Sequence, residues 1–415
     1  MSHNINKPGY KHTSLGWIPD EWTVRSLSQS ILAKGDYGIN AAAVEYSDGL
    51  PAYLRITDID GDGIFCNDKR KSVADSNYKQ FILDEGDIVF VRTGATVGKT
   101  YLYNKADGQL VFAGFLIRFK TDSDILIPYY LKFYTLTKPY WDWVKTTCTR
   151  SGQPGINSTE YGQLKIPMPT VTEQLKIVNV IKVWDEAIQK TQQLIEQLKK
   201  RNKGLVQQLL AGKIRLKGFG VKWEQIQVRK IAKEVSLKNR ADKTLTVLSC
   251  TKYHGLVDSL EYFGRRVFSE DTSTYKVVPE GHFAYATNHI EEGSIGYQSK
   301  YEEALISPMY TVFKTTAEVD DNYLYKVLKS QHYIHEYQKR MEGSIDRRGG
   351  LRWDEFSKIP LHLPPYEEQA AIAKLLDEAN NELKLNQQQL ANLQQQKKGL
   401  MQKLLSGEVR VKIDN

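Results

Sequence analysis

Gly94-Ala95-Thr96-Val97-Gly98-Lys99-Thr100 has the residue types of a loop that cradles phosphate. It is one residue short of the GxxxxGK[ST] spacing. The residues after it read as a strand, not as the helix whose N-terminus would hold the anion. The expectation is therefore a glycine-rich hairpin that brings backbone and Lys99 close to a phosphate. Asp58-Ile59-Asp60-Gly61-Asp62-Gly63 starts like a calcium loop. Its twelfth position is Lys69 where a bidentate Glu is required, so a turn between strands is expected. His332 and His335 lie one helical turn apart without a third ligand nearby, and no metal site is expected.

Leu363-Pro364-Pro365-Tyr366 has the spacing of the (Asp/Asn)-Pro-Pro-(Tyr/Phe) site of amino-methyltransferases. Its first residue cannot accept hydrogen bonds from a target amino group, and no glycine-rich cofactor loop accompanies it. The chain shows neither a nucleophile–base pair nor a nuclease-type carboxylate cluster. No catalytic residues and no cofactor of its own are expected. A stand-alone methyltransferase or nuclease fragment is the rival reading, and a coiled-coil scaffold without a DNA role is a second.

The elements that would position these residues come in two copies. Glu173 to Leu216 returns as Glu368 to Val411 at a fixed offset of 195 residues, with roughly a third of positions identical. Each copy carries a heptad seam. Ile177, Trp184, Thr191, Leu198 and Leu205 alternate with Ile181, Ile188, Ile195, Asn202 and Leu209. Ile372, Ala379, Asn386, Leu393 and Leu400 alternate with Leu376, Leu383, Leu390, Lys397 and Leu404 in the second. Gly212 and Gly407 are the expected stops. At about 1.5 Å per residue each helix would be a rod roughly 55–60 Å long.

Before each rod the pattern is strand and turn. Tyr53–Ile56, Asp87–Val91, Lys99–Tyr103 and Phe115–Phe119 are short β-branched or aromatic runs. A helix from Tyr129 to about Lys145 and a polar loop around Ser151 follow. The second half repeats the plan, with a strand at His282–Ala286, a helix from Asn322 to about Met341 and a loop over 343–350. Scaffold positions agree between the halves: Gly86 with Gly281, Gly98 with Gly293, Gly155 with Gly350. Polar tips do not. Arg92-Thr93 lies opposite Thr287-Asn288, and Ser151-Gly152-Gln153 opposite Asp346-Arg347-Arg348. One framework presenting different Arg, Asn, Gln, Ser and Thr side chains fits two readers of two short targets, because these side chains read base edges and phosphates. The candidate DNA contacts are Arg92, Thr93, Lys99, Arg150, Ser151 and Gln153 in the first half. In the second they are Asn288, His289, Arg347, Arg348 and Arg352.

Composition agrees with this reading. The net charge is +8 in 415 residues, which permits a polyanion partner. The excess sits on the first rod, with 9 basic side chains against 4 acidic ones between 173 and 216. Any nucleic-acid site in the β-rich parts must then be a local cluster. No apolar stretch is long enough for a membrane span. Cys66, Cys148 and Cys250 fit neither a disulfide framework nor a metal site, so a reduced, cytoplasmic setting is expected.

Two β-rich domains, each followed by a long helix that opens through Pro-x-Pro and Glu-Gln, resemble the specificity subunit of type I restriction–modification systems. The matching residues are Gly16-Trp17-Ile18-Pro19-x-x-Trp22, Gly218-Phe219-x-x-x-Trp223, Gly86-Asp87-Ile88-Val89, Ser307-Pro308-Met309-Tyr310, and the segments Ile166–Leu216 and Leu361–Val411. The resemblance implies an α+β fold: two mixed β-rich target-recognition domains alternating with two long helices that pair as an antiparallel coiled coil, in a pseudo-two-fold repeat. The domains would be 1–165, the spacer helix 166–216, the second domain 217–360 and the second spacer helix 361–415. It also implies a non-catalytic subunit that reads a bipartite, asymmetric site in double-stranded DNA. Two methyltransferase subunits would dock on the helices and nuclease–translocase subunits would join them. S-adenosylmethionine would belong to the methyltransferase chains, ATP and Mg²⁺ to the motor chains. Rods of this length would set readers on the order of one to two DNA turns apart, given about 34–36 Å per turn.

Overall fold

The computed structural model describes residues 7–66, 68–148, 155–240, 243–342 and 350–412. The chain forms two compact units, Met1–Gln192 with Gln389–Asn415, and Gln193–Gln388. Both boundaries fall inside long helices, Val171–Leu209 and Tyr366–Leu405.

In the first unit a four-stranded antiparallel sheet has the order Asp36–Tyr37, Leu116–Lys120, Asp87–Val91, Thr100–Leu102. A second sheet has the order Leu110–Phe112, Ala52–Leu54, Lys71–Val73, Ala43–Glu45, with its first pair parallel. Asp87–Val91 is buried throughout, and the period of two explains its unbroken apolar run. Ile88 and Phe90 enter the core shared with the helices, whereas Val89 and Val91 enter the core under the second sheet. The second unit repeats the arrangement. Its central strand His282–Ala286 sends Phe283 and Tyr285 to the helix side and Ala284 to the other.

The helix expected over Tyr129–Lys145 is two helices, Pro128–Tyr134 and Lys138–Thr147. Pro139 cannot donate within a helix interior and is tolerated in the first turn, so it starts a new helix instead of extending the old one. The Thr135 hydroxyl donates back to Lys132 O at 2.7 Å at the break. In the second unit the expected Asn322–Met341 helix is Asp321–Leu328 and Gln331–Glu342, interrupted at Lys329-Ser330. The long helices are also shorter than the repeat that announced them. They end at Leu209 and Leu405, and the tails to Leu216 and Val411 are not helical. Gly212 and Gly407 follow with φ of 63° and 72°. A Cβ on Gly212 would lie 3.1 Å from the Trp223 ring, and one on Gly407 would lie 2.4 Å from Pro19. Both the left-handed backbone and the tryptophan side of the domain therefore demand glycine there.

The helices pair antiparallel inside each unit. In the first, the Asp185 carboxylate meets Lys397 at 2.5 Å, and Ile177 and Ile181 share a core with Met401 and Leu404. In the second, Asn202 Nδ2 donates to Ala379 O at 2.8 Å, Arg201 pairs with Glu382 at 2.7 Å, and Leu209 shares a core with Ile372 and Leu376. Rising numbers on one helix meet falling numbers on the other. The polar seam positions Asn202 and Lys397 are thus partnered, as a register-setting role requires.

A duplicated clamp fastens each helix start. The Glu173 carboxylate, 2% exposed, accepts from Arg410 at 2.5 and 3.0 Å and from the Trp22 indole at 3.0 Å. Glu368 accepts from Arg215 at 2.6 Å twice and from Trp223 at 3.1 Å. The next residue completes it. Gln174 Oε1 accepts from Ile127 N and its Nε2 donates to Ile125 O and Pro169 O. Gln369 makes the same set with Asp320 N, Glu318 O and Pro364 O. The Glu-Gln pair that opens each rod in the sequence therefore locks the helix to its domain and to the tail of the other helix.

Candidate nucleic-acid interface

The central strand of each unit ends at a polar tip, and the backbone holds the two tips alike. In the first unit Arg92 N donates to Phe115 O at 3.0 Å, and Arg92 O accepts from Ile156 N at 2.8 Å. Thr93 bridges to Gly155. In the second, Thr287 O accepts from Leu351 N at 2.9 Å, and the Thr287 hydroxyl lies 2.9 Å from Met309 O. Gly350 has φ of 66°, and a Cβ there would lie 2.5 Å from Thr287 O. The glycine shared by the halves at 155 and 350 is thus the point where each loop returns against its strand tip.

Arg92 is half-buried, with its guanidinium 4.7 Å from the centre of the exposed Tyr37 ring. Such stacking limits the side chain's freedom before any partner arrives. Thr93 sits beside it. Lys99 lies in the expected hairpin, where Gly98 N donates to Val91 O at 3.0 Å and Val91 N to Lys99 O at 2.8 Å. Its ammonium donates to Ile59 O at 2.9 Å, which ties the hairpin to the Asp58–Gly63 turn. Gly98, with φ of 91°, lets the hairpin approach Val144, which a Cβ would meet at 2.7 Å. The glycines of the phosphate-loop-like run therefore serve close packing and a positive φ. The calcium-like run is a turn: Asp60 Oδ1 accepts from Asp62 N and Ile64 N. Nearby, Lys132 donates to Gly63 O and Thr100 O, and burial pushes its ammonium down to about 7.

In the second unit Asn288 and His289 are exposed at the tip, with Asn288 Oδ1 2.8 Å from the Thr287 hydroxyl. Arg352 is exposed beside Leu351. His289, Glu291 and Glu292 hold their ligand atoms within 4.8 Å of one another. They share one short turn, Ile290–Glu292 and the residue before it, and His289 and Glu292 are 65% and 54% exposed. The turn alone accounts for their proximity, and it sets negative charge beside His289. Arg150, Ser151, Gln153, Arg347 and Arg348 lie outside the described residues. The structure therefore brings Arg92 and Thr93 together with the return of one loop, and Asn288 and His289 with the return of the other. Lys99 pairs through its backbone with Val91, next to the first tip, and its ammonium is engaged by Ile59 O. The residues that sequence reasoning passed over are Phe115 and Met309, at the corners beside the tips. Their runs were legible as a strand and as a motif, but nothing in them announced exposure.

A model of the type I restriction modification DNA specificity domain matches residues 19–200 and 251–395. The chain belongs to this family. Its role is DNA specificity rather than catalysis. The type I restriction enzyme MjaVIII specificity subunit of Methanocaldococcus jannaschii is 24% identical over 418 residues, covering 95% of this chain and 94% of the relative. The putative MjaX specificity subunit of the same organism is 24% identical over 436 residues, with 97% of each chain covered. The HsdS subunit from Thermoanaerobacter tengcongensis shares the fold with a TM-score of 0.54 at 16% identity, over 94% of this chain and 98% of that one. A chain from a structure described as the basis of complex assembly and conformational transition of the type I R-M system superposes with a TM-score of 0.57 at 14% identity, over 94% and 99%. The matches to the family model fall one in each half, as the internal repeat requires. Among the described residues no helix is long and apolar enough to cross a membrane.

Proposed function

We propose that each unit of this family member reads one half of a bipartite, asymmetric site in double-stranded DNA. The observation that carries the reading is one backbone frame with two different polar tips: Arg92 O to Ile156 N in one unit, Thr287 O to Leu351 N in the other. A shared frame places different donors and acceptors at the same point, which is what reading two unlike sequences requires. Arg92, Thr93, Lys99, Arg150, Ser151 and Gln153 would contact the first half-site. Asn288, His289, Arg347, Arg348 and Arg352 would contact the second. The outward faces of the long helices would dock two methyltransferase subunits, which bring S-adenosylmethionine. Nuclease–translocase subunits, with ATP and Mg²⁺, would join that core.

Mapping of methylated sites in the host genome with and without this gene tests the proposal. The expected result is one two-part motif with a fixed gap that vanishes with the gene. Substitution at Arg92 should degrade one part of the motif only, and substitution at Asn288 the other. Methylation by this chain alone, or a motif unchanged by its loss, would overturn the reading. Footprints without sequence preference would favour a scaffold instead.

A further inference from the structure

Phe115 and Met309 are large apolar side chains that are 57% and 60% exposed. Singly, such exposure is ordinary for a folded protein. The duplication is what distinguishes this pair. Val91 pairs with Leu116 in the first unit, and Ala286 with Tyr310 in the second, so Phe115 and Met309 hold the same register position. Each is the third residue of a tight turn closed by a backbone bond, Leu116 N to Ala113 O at 2.8 Å and Tyr310 N to Ser307 O at 3.1 Å. The turns are built differently, from Ala113-Gly114-Phe115 and Ser307-Pro308-Met309, yet both place an apolar side chain at the corner. Turn corners ordinarily carry polar residues or glycine. Each corner is also fastened to its polar tip through its own carbonyl, Phe115 O to Arg92 N and Met309 O to the Thr287 hydroxyl. The apolar side chain is thereby held beside the donors of the same tip.

We infer that Phe115 and Met309 are the apolar contacts of the two readers with the base stack, one in each half-site. The inference rests on the DNA reading above. Phe and Met are both among the side chains that wedge between base steps, and Phe also packs on the thymine methyl. Either contact buries an apolar group that water otherwise surrounds. It adds discrimination without adding charge, which suits a unit whose tip already supplies polar donors.

The test uses the full chain assembled with its partner subunits and duplexes selected by that complex from a random pool. Phe115→Ala should weaken binding to the selected duplex about tenfold and relax the preference in one half-site only. Met309→Ala should do the same in the other half. Phe115→Leu and Met309→Leu should restore most of the loss. The slope of log affinity against log salt should stay as in the wild type, because no cation is removed. Thermal melting should not move, because both side chains are exposed. Deoxyuridine in place of thymine at the relaxed positions separates the sources. A matching loss of affinity identifies a methyl contact; no loss identifies a wedge at a base step. The inference is overturned if the alanine variants select the same motif with the same affinity, weaken both half-sites equally, or change the salt slope. If the wild-type complex selects no motif at all, the DNA reading itself fails, and that outcome is distinct.

Discussion

Removing the guanidinium of Arg410 should cost about 3 kcal/mol of folding free energy, at the low end of what breaking a buried ion pair costs. The Glu173 side chain is 2% exposed and, among the described residues, would keep only the Trp22 indole N–H as a side-chain partner, after losing bonds of 2.5 and 3.0 Å. The low end applies because the Arg410 side chain is 34% exposed, so solvent already screens it. Its stacking over Trp22, at 5.8 Å, goes as well. Urea unfolding of Arg410→Ala, Glu173→Gln and the double variant measures the cost. Hydrogen exchange of peptides spanning 169–177 assigns the transition to the first unit. Glu173→Gln in the Arg410→Ala background should recover about 1–2 kcal/mol, because a neutral amide is cheaper to strand than a carboxylate. A cost under about 1 kcal/mol, or a double variant that simply sums the two single losses, would refute the reasoning that a buried carboxylate locks the helix start.

Lys132 gives a pH dependence of its own. The unfolded chain keeps its proton up to the ordinary lysine range, whereas the folded chain releases it near 7, so the unfolded state binds more protons in between and stability rises with pH. Lys132→Met should flatten that rise between about pH 7 and 8.5; above this, the buried Cys250 thiol, pushed up to about 12, opposes it. An identical slope in wild type and variant, by urea unfolding, would exclude Lys132 as its source. Gly350→Ala should cost about 1–3 kcal/mol, because φ is 66° and the new Cβ meets Thr287 O at 2.5 Å; it should also disturb the second half-site alone, read by methylation mapping. Asn202→Leu should raise the thermal midpoint while loosening helix register, because the amide that donates to Ala379 O is replaced by apolar seam; an unchanged or lower midpoint counts against a purely register-setting role.

Much of the architecture was legible because duplication makes a weak pattern testable against itself. The offset of 195 residues marked both rods and both central strands, and the heptad seam announced the pairing of the helices. The clamp was half-visible. Glu173-Gln174 and Glu368-Gln369 stood out as repeated helix starts, but their partners Arg410 and Arg215 lie far along the chain. The glycines at 212 and 407 marked the helix ends, and only the repeat itself ran on into tails that these left-handed residues turn away. The break before Lys138 was missed because aromatic periodicity spans it, while Pro139 and the Thr135 hydroxyl decide it.

The sequence by itself determined the repeat, the heptad seam of each rod and the divergence of the polar tips, since these follow from residue periodicity and from comparing one half with the other; the α+β class and the antiparallel pairing came with the family resemblance. Only the tertiary structure decided which tips face the return of their loops, that Lys99 spends its ammonium on Ile59 O, and that Phe115 and Met309 stand exposed at matching corners. Periodicity records which face of an element is apolar. Exposure at a turn corner depends on what packs around it, and that is settled by contacts between residues far apart in the chain.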